Sequence, residues 1–217
     1  MIKRMTLLAR KDGMSVSDFR AYWAGCHAAL ALCMDGIASY TQNRVDKTLW
    51  QLFDGRGCFQ LDGVVELCFD HDDAMRDAQA SAVGSKYIPE DEPNFLRGWT
   101  LCVVENEEEQ TGPKAVKVIV PAVMKDVTSK TEFKQALLEA NDAQKSPSRI
   151  AFNWTSRTAS REQLWSEPSP PDAIVVLWFE SIADAHVAFE PDGRYVQAFR
   201  SVADRAAAYL INTHVVK

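Results

Sequence analysis

Phe19, Trp23 and His27 recur every four residues in FRAYWAGCHAAL, residues 19–30, and Cys26 and Leu30 extend the same stripe. That spacing predicts one helix face turned toward the core, with a titratable imidazole among its aromatic groups. An inward histidine is more often a core residue bonded to a carbonyl or carboxylate than a reactive one. Three other side chains could make it reactive. Glu66 interrupts the apolar strand VVELCF, where an unpaired carboxylate is costly to bury, so it is expected to orient His27 and raise its basicity. Asp62 lies two pleats away on the same face and ranks below Glu66, because a strand-start or turn role suits it equally. Tyr40 offers a phenolic donor for a developing oxyanion or phenolate. Phe19, Trp23 and Phe95 are expected to line an apolar pocket, with Tyr22 and Asn43 as further substrate-binding candidates. Tyr40 and Asn43 point to opposite faces of a regular strand, so only one of them joins His27 unless a bulge intervenes. Proton transfer by a positioned histidine suits lyase, decarboxylase, isomerase or cyclase chemistry without a metal or nucleotide cofactor.

The elements that must position these groups occur twice. LLARKDGMSVSDF (7–19) parallels PAVMKDVTSKTEF (121–133): Lys11, Asp12, Ser15 and Phe19 match Lys125, Asp126, Ser129 and Phe133. Both segments read as an apolar strand, a polar turn and a helix opened by a capping box, Ser15 with Asp18 and Ser129 with Glu132. DGVVELCFD (62–70) parallels DAIVVLWFE (172–180), and Asn43 pairs with Asn153. Strands are expected near 3–10, 38–46, 62–70, 99–105, 115–124, 149–157, 172–180 and 207–216. Helices are expected near 16–32, 71–97 (broken around Pro89 and Pro93), 129–144 and 181–203. Each half is then a βαββαβ, ferredoxin-like unit, giving an α+β protein with domains 1–105 and 115–217 and an acidic linker at 106–114. Strands apolar on both alternations need both sheet faces covered. The two sheets should therefore pack together into a barrel-like core with the helices outside.

The repeat also isolates the chemistry. His27 falls opposite Asn141, Trp23 opposite Leu137, Tyr40 opposite Ile150 and Glu66 opposite Val176. The second copy keeps the pattern of the fold without these ionisable groups.

A chain of 217 residues with 47% hydrophobic and 25% charged residues has ordinary globular composition and needs no disulfide staple. A net charge of −6 argues against a nucleic-acid track. The apolar run Met5–Leu8 is too brief for a signal peptide and nothing approaches a membrane span, so a cytoplasmic protein is expected. The cysteines 26, 33, 58, 68 and 102 show no metal-ligand spacing and are expected to be buried free thiols, and Cys26 diverges from His27 on a helix. His71, His186 and His214 are scattered, and no glycine-rich nucleotide loop or GxSxG elbow occurs. Trp50, Trp99, Trp154, Trp165 and Trp178 are expected to pack rather than recognise.

KDGMSVSDFRAYWAGCHAAL, followed by SYTQNRV and DGVVELCFD, resembles the EthD family of the dimeric α/β-barrel superfamily. The pattern is a basic residue with Gly-Met-Ser, a Phe and Tyr-Trp in the helix, then His27, Ala28 and Leu30; Ala29 stands where the family usually has proline. The resemblance covers residues 3 to about 104 and implies a tandem pseudo-dimer in which the second unit is degenerate. It also implies a pocket between helices and sheet, into which His27 would point. The superfamily includes cofactor-free polyketide cyclases, quinone-forming monooxygenases, muconolactone isomerases and haem enzymes, so it constrains architecture better than reaction. The leading expectation is a cofactor-free enzyme acting on a small aromatic or polyketide-like molecule, with a homodimer open. The alternatives are a module that only binds a hydrophobic ligand, a monooxygenase, and a haem protein with His27 as axial ligand.

Overall fold

Alternation along β1 (Ile2–Arg10) sends Met5 and Leu7 into the interior of a barrel and Arg4, Thr6 and Leu8 toward the helices outside it. The structure is a computed structural model that describes residues 1–53, 57–108, 115–142 and 149–217, with the backbone alone described at 108. After β1 come α1 (Val16–Tyr22), a π-helical turn at Trp23–His27, α2 (Ala28–Ala31), β2 (Ile37–Leu52) and β3 (Gly63–Phe69). Then follow α3 (Asp72–Ala80), a second π-helical turn at Val83–Tyr87, α4 (Ile88–Asp91), a 3-10 turn at Glu92–Asn94 and β4 (Leu96–Glu108). The second half runs β5 (Val116–Met124), α5 (Lys130–Asp142), β6 (Arg149–Ala159), β7 (Ala173–Phe179), α6 (Ile182–Ala188), α7 (Arg194–Val202) and β8 (Ala203–Val215).

All eight strands join in one closed antiparallel barrel in the order β1-β3-β2-β8-β5-β7-β6-β4. The halves meet edge to edge: β2 pairs with β8 and β4 with β6, so the terminal edges of each half disappear into hydrogen bonds. This closure goes further than two sheets packed face to face. β2 follows the curvature through bulges at Val45/Lys47 and Thr48/Trp50. The interior holds Met5, Leu7, Val64, Cys102, Ile119, Ile174, Val176 and Tyr209 among others, and separate apolar clusters fill the space between the barrel and the helices of each half.

The repeated motifs do matching work. Asp62 accepts from the Arg10 backbone N–H at 2.8 Å, and Asp172 accepts from the Met124 backbone N–H at 2.8 Å. Asn43 donates to the Val64 carbonyl at 3.2 Å, and Asn153 to the Ile174 carbonyl at 2.8 Å. Both capping serines accept the N–H three residues on, at 3.0 Å for Ser15 and 3.2 Å for Ser129. Gly63 and Gly98 permit two close approaches, because a Cβ at either would collide with the ring of Trp23 or Trp165 respectively.

Three expectations need correction. The linker at 106–114 begins too early, because 106–108 continue β4 and pair with β6; residues 109–114 lie outside the described residues. The helix expected at 181–203 is two helices, α6 and α7, separated by a turn at Glu190–Gly193. Among the five free cysteines only Cys102 is buried, while Cys26 in the π-helical turn and Cys33 in the turn after α2 are exposed, so Cys26 does not extend the core stripe. No helix of the described residues is long and apolar enough to cross a membrane.

Candidate functional site

Phe19 and Trp23 anchor the first helix in the core, and the π-helical turn that follows ends at His27, itself 8% exposed. A π turn widens the helix by one residue and rotates everything after it. Gln42, fully buried on β2, donates to the Trp23 carbonyl at 2.7 Å and thereby satisfies a backbone group at the start of that turn. The His27 ring lies 4.7 Å from Phe95, and its Nδ1 is 2.8 Å from Oδ2 of Asp91 in α4. The Tyr22 hydroxyl donates to the other Asp91 oxygen at 2.6 Å, with Asn94 Nδ2 at 3.3 Å. The hydrogen bond from His27, then that from Tyr22, holds the Asp91 carboxyl below the usual carboxylate range, although partial burial opposes them. An ionised Asp91 cannot donate, so Nδ1 must carry the proton it shares with Asp91. In the neutral form of the ring, Nε2 is then the nitrogen free to accept a proton.

His27 borders a small cavity of about 30 Å³ between the helices and the barrel wall. Tyr40, Arg4, Thr6 and Glu92 supply its polar lining, and Leu8, Met34, Ile88 and Trp99 much of its apolar lining. Tyr40 is fully buried and accepts from Gln42 at 3.0 Å; burial raises its phenol above the ordinary range, so it stays a neutral donor. Glu92 is also buried, which raises its carboxyl, while Arg161 from the β6–β7 connection donates to it at 2.8 Å. That connection is held along the start of β4, with Trp165 N–H bonded to the Arg97 carbonyl at 2.9 Å and Trp99 N–H to the Trp165 carbonyl at 2.8 Å. Outside it, an open cleft of about 360 Å³ is lined by Ser85, Lys86, Pro89, Glu90 and residues 160–164. The segment Ile88–Glu92 and the Arg161–Glu92 ion pair form the wall shared by cleft and cavity.

Of the residues expected from sequence, His27 and Tyr40 share this cavity and the others do not. Glu66 does not meet His27. It points to the opposite face of β3, where it accepts from Lys3 at 2.7 Å, from Asn43 at 2.7 Å and from Lys117 of the second half. Asn43 belongs to that cluster, accepting from Lys117 at 2.8 Å, so it lies inside the barrel and not at the imidazole. Strand alternation is the cause: Glu66 shares the parity of Val64, which faces the barrel interior, while Val65 and Leu67 face the helices, and closure then brings Lys117 of β5 to it. Asp62 ties β3 to Arg10 at the strand end, the same role as Asp172. Phe19, Trp23 and Phe95 do not line the cavity; they stack behind the imidazole as core, with Phe19 5.4 Å from Trp23 and 5.9 Å from Phe95. Tyr22 positions Asp91. Trp99, expected only to pack, lines the cavity under the Arg161 guanidinium.

Asp91, Glu92, Arg4, Thr6 and Arg161 were missed. Asp91 and Glu92 sit in the charged run PEDEPN, which reads as solvated surface. The alternation of β1 offered a signal for Arg4 and Thr6, which share the parity of the apolar Leu8. Among the described residues no group of three His, Cys, Asp or Glu side chains could hold a metal ion. A haem on His27 would have to seat its macrocycle directly against Nε2, and a 30 Å³ space, enough for a water or two, does not fit one.

Residues 11–98 match the EthD domain family. No curated protein sequence matches the chain. Among solved structures, an anthrone oxidase-like protein is similar at TM-score 0.61 and 12% identity, covering 99% of this chain and 93% of its own. A candidate monooxygenase from Lactobacillus acidophilus is similar at TM-score 0.54 and 9% identity, covering 99% of this chain and 94% of its own. A candidate chlorite dismutase is similar at TM-score 0.51 and 9% identity, covering 97% of this chain and 94% of its own. Identities this low carry the fold and nothing of the chemistry. Residues 11–98 thus match the EthD domain model, and the fold of the whole chain is similar to that of these solved structures.

Proposed function

We propose that this protein is a cofactor-independent enzyme in which His27 moves a proton at a small aromatic or polyketide-like substrate, in lyase, decarboxylase, isomerase or cyclase chemistry. The 2.8 Å contact between His27 Nδ1 and the ionised Asp91 carries the reading, because it fixes the tautomer that leaves Nε2 basic beside a cavity. Tyr40 is a neutral donor in the same cavity and would hydrogen-bond an oxygen that gains charge as the proton leaves. The cavity admits one reacting group; the body of a substrate would lie toward the outer cleft, with the Arg161–Glu92 pair parted.

We read the chain as two ferredoxin-like units, 1–105 and 115–217, the second having lost the site; homodimerisation would use the outer helices. A second reading, a module that binds a ligand without converting it, is favoured by how small the cavity is. Incubating the protein with a panel of phenolic ketones and keto acids, with product analysis by mass spectrometry, separates the two. His27→Ala should lower turnover by about 10²-fold or more with the circular-dichroism spectrum intact. Undiminished turnover in a folded His27→Ala protein removes the proposed base.

A further inference from the structure

Arg4 and Thr6 are buried, at 8% and 1% exposure, and both line the His27 cavity, yet Arg4 Nε and the Thr6 hydroxyl have no hydrogen-bond partner among the described residues. Leaving such groups unmatched is unfavourable, most of all for a guanidinium. The fold does not demand them. At the matching register of the second half, where β1 Arg4 opposite Leu67 becomes β5 Val118 opposite Leu177, and Thr6 opposite Val65 becomes Val120 opposite Val175, both positions are valine in a dry core. The carboxylates nearby are already taken. Glu92 accepts from Arg161, and Asp91 accepts from His27 and Tyr22.

We infer that Arg4 and Thr6 form a subsite for an acidic oxygen, a carboxylate, phenolate or enolate, that seats one end of the substrate beside His27. The inference rests on the proposed role of His27 for its position in a reaction, but not for its binding chemistry. The free Nε–H and the hydroxyl are two donors on one strand face, two residues apart, and an anionic oxygen group is the partner that answers both a positive charge and a donor. A cavity of about 30 Å³ holds a water or two, which is the room the oxygens of one carboxylate need. Burial draws the Arg4 pKa down to about 10, against the pull of Glu92, so the guanidinium remains charged at neutral pH.

Acetate and acetamide are nearly the same shape and differ in charge, which makes them the probes. The full-length protein, ¹⁵N-labelled, is titrated with each at constant ionic strength while the Arg4 Nε–H and His27 ring resonances are followed. Acetate should shift the Arg4 Nε–H signal saturably and bind about tenfold or more tightly than acetamide, the factor expected of a charge-assisted hydrogen bond. Arg4→Gln should abolish the preference, and Thr6→Val should weaken acetate several-fold. Because Arg4→Gln removes a buried unmatched charge, its thermal midpoint should not fall; should it nevertheless fail to fold, the wild-type comparison and Thr6→Val still decide. Equal affinities for the two probes, shifts confined to surface lysines, or no binding of either overturn the subsite. The two proposals fail separately: acetate selectivity should survive in His27→Ala, and loss of turnover in His27→Ala without acetate selectivity in the wild type would leave the base standing and remove the anion site.

Discussion

Replacing Asp91 by Asn keeps the shape of the side chain and reverses what it offers His27. The carboxylate takes the His27 Nδ1 proton on one oxygen at 2.8 Å, and takes the Tyr22 hydroxyl at 2.6 Å and Asn94 at 3.3 Å on the other. An amide has one accepting oxygen, and the two donors from Tyr22 and Asn94 hold it on their side. The amide nitrogen then faces Nδ1 and donates to it, so the ring proton moves to Nε2 and the cavity-side nitrogen can no longer accept one. Losing a hydrogen bond to a charged group costs about 1.5–3 kcal/mol. The wrong tautomer costs the base its function as well, so turnover should fall by roughly 10²–10⁴-fold. Stability should fall by about 1–3 kcal/mol, a drop of a few degrees in the melting midpoint for a chain of this size. Long-range ¹H–¹⁵N spectra of the imidazole report the tautomer without any substrate. If Nδ1 stays protonated in Asp91→Asn, or turnover is unchanged while the tautomer flips, Asp91 does not orient a working base.

Two further outcomes test the scaffold. The lysines 3 and 117 hold the buried Glu66 carboxyl down from 4.5 to about 2 against the opposing effect of burial, which at 1.36 kcal/mol per unit is roughly 3 kcal/mol of stability. A depressed carboxyl contributes fully above its unfolded value, so that stability should be present above about pH 4.5 and drain away as pH falls toward 2; Glu66→Gln should lose it at neutral pH and flatten urea-midpoint profiles across that window. Asp62→Ala and Asp172→Ala should each cost about 1–2 kcal/mol in chemical denaturation, since each removes the acceptor of one backbone N–H at 2.8 Å, with Asp62 up to about 1 kcal/mol above its counterpart because it also accepts from Arg10 Nε at 3.3 Å; a much larger excess for Asp62 would give it a role beyond these contacts.

Much of the scaffold is written locally. Capping serines, alternating strands and repeated Asp and Asn residues report backbone geometry within a few residues of themselves, and they foretell the eight strands and the inward turn of His27. Partner identity is a different matter. His27 and Asp91 are 64 residues apart, and their meeting depends on two π-helical turns and on how a proline-broken helix packs over the sheet. Nothing in EDEPN distinguishes that carboxylate from its exposed neighbours. Glu66 misleads for the same reason. Its strand is legible, but which face it takes and its partner Lys117 from the other half are settled only when the barrel closes.

The two halves together form an internal control on which polar groups the fold itself requires. Asn141 stands where the repeat places His27, and it is held by the Tyr195 hydroxyl at 2.5 Å, a neutral pair from the first and last helices of its half. Val118 and Val120 stand where the first half has Arg4 and Thr6, and Ile150 where it has Tyr40. Buried ions seldom stabilise a fold better than well-packed apolar or neutral groups of similar volume. The second half therefore shows the helix–sheet interface in its undemanding form, closed by valine, isoleucine and an asparagine–tyrosine contact. The first half departs from that form at several matched positions; His27, Tyr40, Arg4 and Thr6 border one cavity, Gln42, opposite Phe152, ties Tyr40 to the Trp23 carbonyl, and Glu66, opposite Val176, lies on the other face of the sheet. The gathering of four of them beside a carboxylate-bound imidazole is what the proposed proton transfer at that point would require.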